Sequence, residues 1–349
     1  AGVMTSAAGA ASLKAAILVV LCLQNTAYTL LRRYATAVAA INLNAQAVLA
    51  AGEAIKLVVS GAVGSSPDPD SSDAVGTGLA RLVWLVANSQ KMFMLAAIYA
   101  AMNILSFVSL KRVDAGTFTV CAQLKVLTTA TFSFVLLGRQ LSLTKWRALV
   151  GLMLSVILVV HPASQGKVVA DGSNDTFEYL LGVGAVLAEV SLSGFASIYF
   201  EKVIKASGQR LSIWERNFQL AVWSLLLYAP FCLWSSPAPP SPADAAPEPE
   251  GWPAVVWVLA VLGAGGGLLV AATLKYADSI TKTLATASAI VLSTVAGHAL
   301  LDGPFNVIIC IGCILVIVNI LNYQFDTTPK PPVAPELKEV TTPKGGIAA

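Results

Sequence analysis

Four lysines stand within or beside long apolar stretches: Lys56, Lys125, Lys275 and Lys282. If those stretches cross a bilayer, each charge costs about 2.5–3.5 kcal/mol on insertion scales and calls for a partner or a ligand. Lys125, in Gln123-Leu124-Lys125-Val126, has no acidic residue within four positions. A bound anion, or a partner on another helix, accommodates it. Glu53 and Lys56 are three apart and share a helical face. They either line a cavity or neutralise each other as a structural pair. Lys282 falls one turn into an apolar stretch and Lys275 at the end of another; each either serves a site or snorkels to the interface. Lysines without matching carboxylates, converging on one midplane, ask for an anionic substrate. Phosphate suits them, because an ammonium is a compact point charge.

Other polar side chains accompany the lysines. Tyr99 and Asn103 are four apart on one face, Asn217 and Gln219 open a later stretch, and Ser191 and Ser193 lie in another. An aromatic ring with amides nearby suits stacking and hydrogen bonding to a nucleobase; hydrogen bonding between helices is the alternative. Catalysis finds little support. The two histidines, His161 and His298, belong to no catalytic motif, and no carboxylate cluster or nucleophile elbow is visible. No enzyme activity and no cofactor are expected. Cys310-x-x-Cys313 lacks a second ligand pair, so no metal is expected either. Gly263 to Gly267 lacks the Lys-Ser/Thr ending of a phosphate loop and reads as a close-packing or bending face.

The elements that must position these residues are membrane helices. Of 349 residues, 56% are hydrophobic and only 12% charged; soluble domains carry about 25% charged residues. The chain cannot cover itself with polar surface, so the lipid bilayer is its solvent. A net charge of +3 is too small to suggest nucleic acid. All five cysteines lie in apolar runs, which argues against a disulfide framework. The first apolar run reads as a retained helix rather than a cleaved signal. Ten spans are predicted, over 13–31, 42–63, 84–110, 115–137, 146–161, 177–200, 213–234, 253–274, 279–301 and 304–324. The polar stretches at 64–78 and 235–251, and the tail after Phe325, read as unstructured.

The spans form two sets. Leu110-Lys111-Arg112-Val113-Asp114-Ala115-Gly116-Thr117 returns as Leu274-Lys275-Tyr276-Ala277-Asp278-Ser279-Ile280-Thr281, an offset of 164 residues. That offset also relates Leu136-Leu137 to Leu300-Leu301, and Glu53 to Asn217. It contains five spans, an odd number, so the second copy enters the membrane inverted. The expected fold is an all-α membrane protein with ten transmembrane helices in two inverted five-helix repeats. Its parts are an N-terminal segment 1–12, a first half 13–161, a linker 162–176, a second half 177–325 and a tail 326–349. Inverted repeats are common in secondary transporters, whose substrate sits at the midplane between the halves. The distribution of Lys and Arg, with Arg81, Arg139, Lys145, Lys202 and Lys205 on one side, favours both ends in the cytosol. Arg32 and Arg33 argue the other way.

Several segments carry a family resemblance. They are Gly52-Glu-Ala-Ile-Lys-Leu57, Gln123-Leu-Lys-Val-Leu-Thr-Thr129, Leu192-Ser-Gly-Phe-Ala-Ser-Ile-Tyr-Phe-Glu-Lys-Val-Ile-Lys205, Trp214-Glu-Arg-Asn-Phe-Gln-Leu220 and Leu274-Lys-Tyr-Ala-Asp-Ser-Ile-Thr-Lys282. With these the chain resembles the nucleotide-sugar transporters of the Golgi, over about residues 13–324. It is closest to the branch carrying CMP-sialic acid, UDP-galactose and UDP-N-acetylglucosamine, within the drug/metabolite transporter superfamily. The resemblance implies an antiporter exchanging a pyrimidine nucleotide sugar, of the UDP-galactose or CMP-sialic acid class, for a nucleoside monophosphate. It implies a multi-pass Golgi protein, less readily one of the endoplasmic reticulum, with both termini cytosolic; a homodimer is allowed. It further implies that Glu53, Lys56, Tyr99, Asn103, Lys125, Ser193, Asn217, Lys275 and Lys282 line or support the substrate site. Phe118, Ala122 and Ala221 depart from it, standing where tyrosines are usual, which bears on the substrate's identity. An exporter of another small solute, or a non-transporting membrane scaffold, is the alternative.

Overall fold

The computed structural model describes residues 2–39, 41, 45–65, 76–110, 112–113, 115–164, 176–205, 211–234 and 252–326. Its helices are α1 (Gly2–Arg33), α2 (Ala45–Gly64), α3 (Leu79–Ala87), α4 (Gln90–Leu110), α5 (Ala115–Ala122) and α6 (Lys125–Leu137). They continue with α7 (Leu143–Ser164), α8 (Thr176–Lys205), α9 (Ile213–Trp234), α10 (Ala254–Tyr276), α11 (Ser279–Leu301) and α12 (Val307–Gln324). A π-helical turn, Tyr34–Val38, follows α1. Most of the polar stretches at 64–78 and 235–251, and the tail, lie outside the described residues. Nine segments among the described residues are long and apolar enough to cross a membrane. The predicted span 213–234 is present as α9.

Two predicted spans are each broken in two. The third divides at Asn88–Ser89 into α3 and α4, and the fourth at Gln123–Leu124 into α5 and α6. A break exposes backbone carbonyls that lipid cannot satisfy, so protein must. At the first break, Gln219 Nε2 donates to Leu85 O at 2.8 Å, and Trp223 Nε1 donates to Ser89 Oγ at 2.6 Å. At the second, the chain tightens into 3₁₀ turns, with Gln123 N donating to Val120 O and Leu124 N to Cys121 O.

The 164-residue offset runs through the local structure. Starts of α10, α11 and α12 fall 164 residues after those of α4, α5 and α7. Ser142 Oγ accepts from Lys145 N at the start of α7, and Asn306 Oδ1 accepts from Ile309 N at the start of α12. Gly138 and Asp302 both end their helices in the left-handed conformation, φ 63° and 48°. Asp278 explains the recurring motif: its carboxylate accepts from Thr281 N at 2.7 Å and caps α11. The matching Asp114 lies outside the described residues.

Packing repeats too. Helix α1 packs on α10 and α11, while α8 packs on α4 and α6; α2 packs on α10, while α9 packs on α4. Helix α2 also pairs with α9, and α7 with α12. Gly61 faces Phe218 and Gly64 faces Glu215, so α2 and α9 run antiparallel. Gly151 faces Asn319 while Gly312 faces Leu158 and Val159, so α7 and α12 do as well. Asn319 Nδ2 donates to Ser155 Oγ at 3.2 Å, joining two residues 164 apart. Two apolar clusters result. One joins α4, α8, α9 and α10 through Met92, Leu95, Phe200 and Leu274. The other joins α6, α7, α11 and α12 through Val126, Leu149, Leu284 and Val316.

Candidate functional site

Between the two clusters lies a cavity of about 190 Å³. Val126, Val156 and Ala287 from one cluster and Val270 from the edge of the other form its apolar walls. Polar groups reach it from four helices and a break: Asn25 of α1, Gln123 at the α5–α6 break, Lys125 and Thr129 of α6, Ser193 and Ser197 of α8, and Lys282 and Thr286 of α11.

Lys125 is not in mid-helix, as the sequence suggested. It is the first residue of α6, immediately after the break. The N–H groups of Val126 and Leu127 are bonded within the turn, to Gln123 O and Leu124 O, so the ammonium rather than a free helix end supplies the positive charge here. Lys282 lies one turn into α11 and donates from Nζ to Ser197 Oγ at 2.9 Å. The two ammonium groups are near enough to repel each other. Lys125 makes no ion pair among the described residues. The expectation of lysines without carboxylates nevertheless needs correction. Glu189 of α8 is close enough to attract Lys125, and Glu201 to attract Lys282. Glu201 is already engaged: its buried carboxylate binds Arg139, Lys205 and the Ser279 N–H.

Of the nine residues expected at the site, the cavity brings together Lys125, Ser193 and Lys282. Glu53, Lys56, Tyr99 and Asn103 form a neighbouring group. Lys56 is buried, donates to Glu53 Oε1 at 2.6 Å and lies against Gly267. Gly266 likewise makes room for Gln24, whose Nε2 donates to Leu262 O at 2.7 Å. The glycine run thus lets two polar side chains approach α10 closely. Glu53 is within electrostatic reach of the Tyr99 and Tyr228 phenols, and Asn103 within hydrogen-bonding reach of Tyr228. Tyr99 packs on the same apolar cluster as Val270, a residue of the cavity wall. Asn217 of α9 is buried and does not line the cavity; its Nδ2 is bonded to Ile213 O and its Oδ1 has no hydrogen-bond partner. Lys275 is exposed at the end of α10, 5.6 Å from the Tyr276 ring centroid, and does not line the cavity.

Residues that the sequence reading passed over include Glu189, Ser197, Asn25 and Tyr228. Glu189 was visible as a lone acid in the apolar run Ala188-Glu189-Val190. Arg81, assigned from sequence to a polar side of the membrane, is instead buried: its Nε and Nη2 both donate to Glu215 Oε1, at 3.0 and 2.6 Å. No cluster of three or more His, Cys, Asp or Glu able to hold a metal occurs among the described residues.

The sequence profile of the nucleotide-sugar transporter family matches residues 9–324. The chain belongs to that family. Among nucleotide-sugar transporters it is similar to the UDP-N-acetylglucosamine/UDP-N-acetylgalactosamine transporter nstp-4 of Caenorhabditis elegans, 36% identical over 70% of this chain and 72% of that one. It is similar to the UDP-N-acetylglucosamine transporter of Rattus norvegicus, 37% identical over 68% and 70%. The UDP-galactose/UDP-N-acetylglucosamine transporter srf-3 of C. elegans is 34% identical over 90% of this chain and 83% of its own. A solved structure with 17% identity shares the fold at a TM-score of 0.61, over 90% of this chain and 98% of that chain.

Proposed function

We propose that the chain carries a nucleotide sugar across a Golgi membrane in exchange for the nucleoside monophosphate. It works as two inverted five-helix halves, α1–α7 and α8–α12, with both termini cytosolic. One observation carries this reading. Lys125 of the first half and Lys282 of the second meet at a single cavity, between apolar walls that dilute water. Two converging ammonium groups are suited to the phosphates of a nucleotide. The inverted arrangement is supported by the antiparallel running of α2 against α9 and of α7 against α12. It is supported further by the exchange of partners between α1 and α8. Relatives that carry UDP-N-acetylglucosamine and UDP-galactose make uridine the first base to test.

Lys125 and Lys282 hold the phosphates in this mechanism, Gln123 and Ser193 add hydrogen bonds, and Tyr99 with Asn103 faces the nucleoside. Lys56, held by Glu53, supports that side. Exchange follows when a ligand stabilises the crossing state more than it stabilises the end states. The test is UMP-driven uptake of UDP-sugars into proteoliposomes. Lys125→Ala is expected to abolish exchange and to weaken UMP binding at least tenfold, since a hydrogen bond to a charged group contributes about 1.5–3 kcal/mol. Undiminished exchange overturns the phosphate role.

A further inference from the structure

Glu189 is the one carboxylate facing Lys125 that no other cation engages among the described residues. It lies on α8, with Ser106 of α4 within hydrogen-bonding reach and Lys125 of α6 within electrostatic reach. Its Oε2 is buried and has no hydrogen-bond partner. Buried polar atoms are normally satisfied, and an orphaned carboxylate oxygen demands an explanation. Position 189 lies 164 residues after Asn25, which lines the cavity from α1 with a neutral amide. The two equivalent helices therefore carry an amide and an acid at matching positions, and the acid lies within electrostatic reach of the lysine but outside ion-pair distance.

We propose that Glu189 is the resident counter-ion of Lys125, which an incoming phosphate displaces. The proposal rests on Lys125 being a phosphate ligand. In the empty carrier the carboxylate partly neutralises an ammonium that apolar walls would otherwise strand. In the loaded carrier the phosphate takes over the ammonium, and carboxylate and phosphate repel. Glu189 therefore weakens nucleotide binding below what the lysines alone would give. Weaker binding is useful, because a carrier must release its cargo on the far side. The residue acts through Lys125, as a positioning group that sets affinity against turnover.

The experiment compares UMP and uridine binding to the purified full-length chain by calorimetry, with UMP exchange in proteoliposomes as the second readout. Glu189→Gln removes the charge and keeps the shape. UMP is expected to bind about tenfold more tightly, the change produced by roughly 1.4 kcal/mol. Uridine affinity is expected to stay put, and exchange to slow as release becomes limiting. Glu189→Ala carries the same expectation and covers a failure of the glutamine variant to fold. Unchanged or weaker UMP binding in these variants overturns the proposal, as does an equal gain for UMP and uridine. Failure of the phosphate reading shows separately, as Lys125→Met leaving UMP affinity intact.

Discussion

A buried charge is safe only while its partner remains, and Arg81 with Glu215 shows this away from the cavity. Their side chains are 0% and 1% exposed. Glu215 also closes a capping box at the start of α9, with Ser212 N donating to Glu215 Oε2 at 2.7 Å and Glu215 N to Ser212 Oγ at 3.2 Å. Removing one partner of a buried pair costs about 3–5 kcal/mol, whereas replacing both with apolar residues is often neutral. Glu215→Gln keeps the capping box but removes the negative charge that faces the buried guanidinium, and should lower the melting temperature. Arg81→Met combined with Glu215→Gln removes the unpaired charge, keeps the capping box and should recover most of that loss. A thermal unfolding series in detergent decides; a double variant no more stable than Glu215→Gln contradicts the buried-pair account. The pairing was not readable in advance, because Arg81 and Glu215 lie 134 residues apart and each stands near a polar linker that suggests solvent. Lys125 was readable, since its isolation among apolar neighbours is a local property of the sequence.

Helix contacts at the cavity are set by small residues. A Cβ on Gly194 of α8 would lie 2.6 Å from Thr128 Oγ1 and 2.8 Å from the Thr128 carbonyl carbon. The approach of α8 to α6 also lets Thr128 Oγ1 donate to Val190 O at 3.1 Å. Gly194→Ala must push the helices apart beside Ser193 and Lys125, and should cost about 1–3 kcal/mol as overpacking does. Gly184, on the same helix, has nothing within 4 Å of a built Cβ. Gly184→Ala should therefore be neutral or stabilise by up to about 1 kcal/mol. Melting temperatures of the two variants check the contrast; equal effects would place the α6–α8 contact elsewhere. Helix positions were largely legible: α9 and α11 occupy 213–234 and 279–301 as the apolar runs indicate. The breaks at Asn88–Ser89 and Gln123–Leu124 were not. Neither contains Gly or Pro; the first falls in the polar run Asn88-Ser89-Gln90-Lys91, the second at Gln123 inside a longer apolar stretch. At the first, Gln219 of α9 satisfies the freed Leu85 O, a contact that no local pattern reports; at the second, the chain satisfies itself through 3₁₀ turns.

Across the whole molecule, the two ends of the packing are not equivalent. At one end the Glu201 carboxylate joins Arg139 beyond α6, Lys205 on α8 and the Ser279 N–H opening α11. The matching positions at the other end, 164 residues away, are an alanine at 37 and Gly303. There the Arg33 guanidinium lies against Gly297 and Gly303 and forms no ion pair among the described residues. One end is thus latched by an ion cluster bridging α6, α8 and α11, whereas among the described residues the other holds the single Arg112–Glu178 pair between the α4–α5 turn and α8. In the proposed orientation the latch faces the cytosol. Removing one arm should favour the state in which that end opens. Arg139→Ala deletes a hydrogen bond between ions worth about 1.5–3 kcal/mol. Because Glu201 keeps Lys205 and Ser279, the variant should still fold. The expected result is a shift in populations of about tenfold, since 1.4 kcal/mol is a factor of ten. A Ser193→Cys reporter in the cavity wall, labelled by a membrane-impermeant thiol reagent from each side, measures it. Labelling from the latched side should rise and labelling from the other side should fall. Equal rates from both sides, unchanged by Arg139→Ala, would show that Glu201 braces the fold and does not gate it.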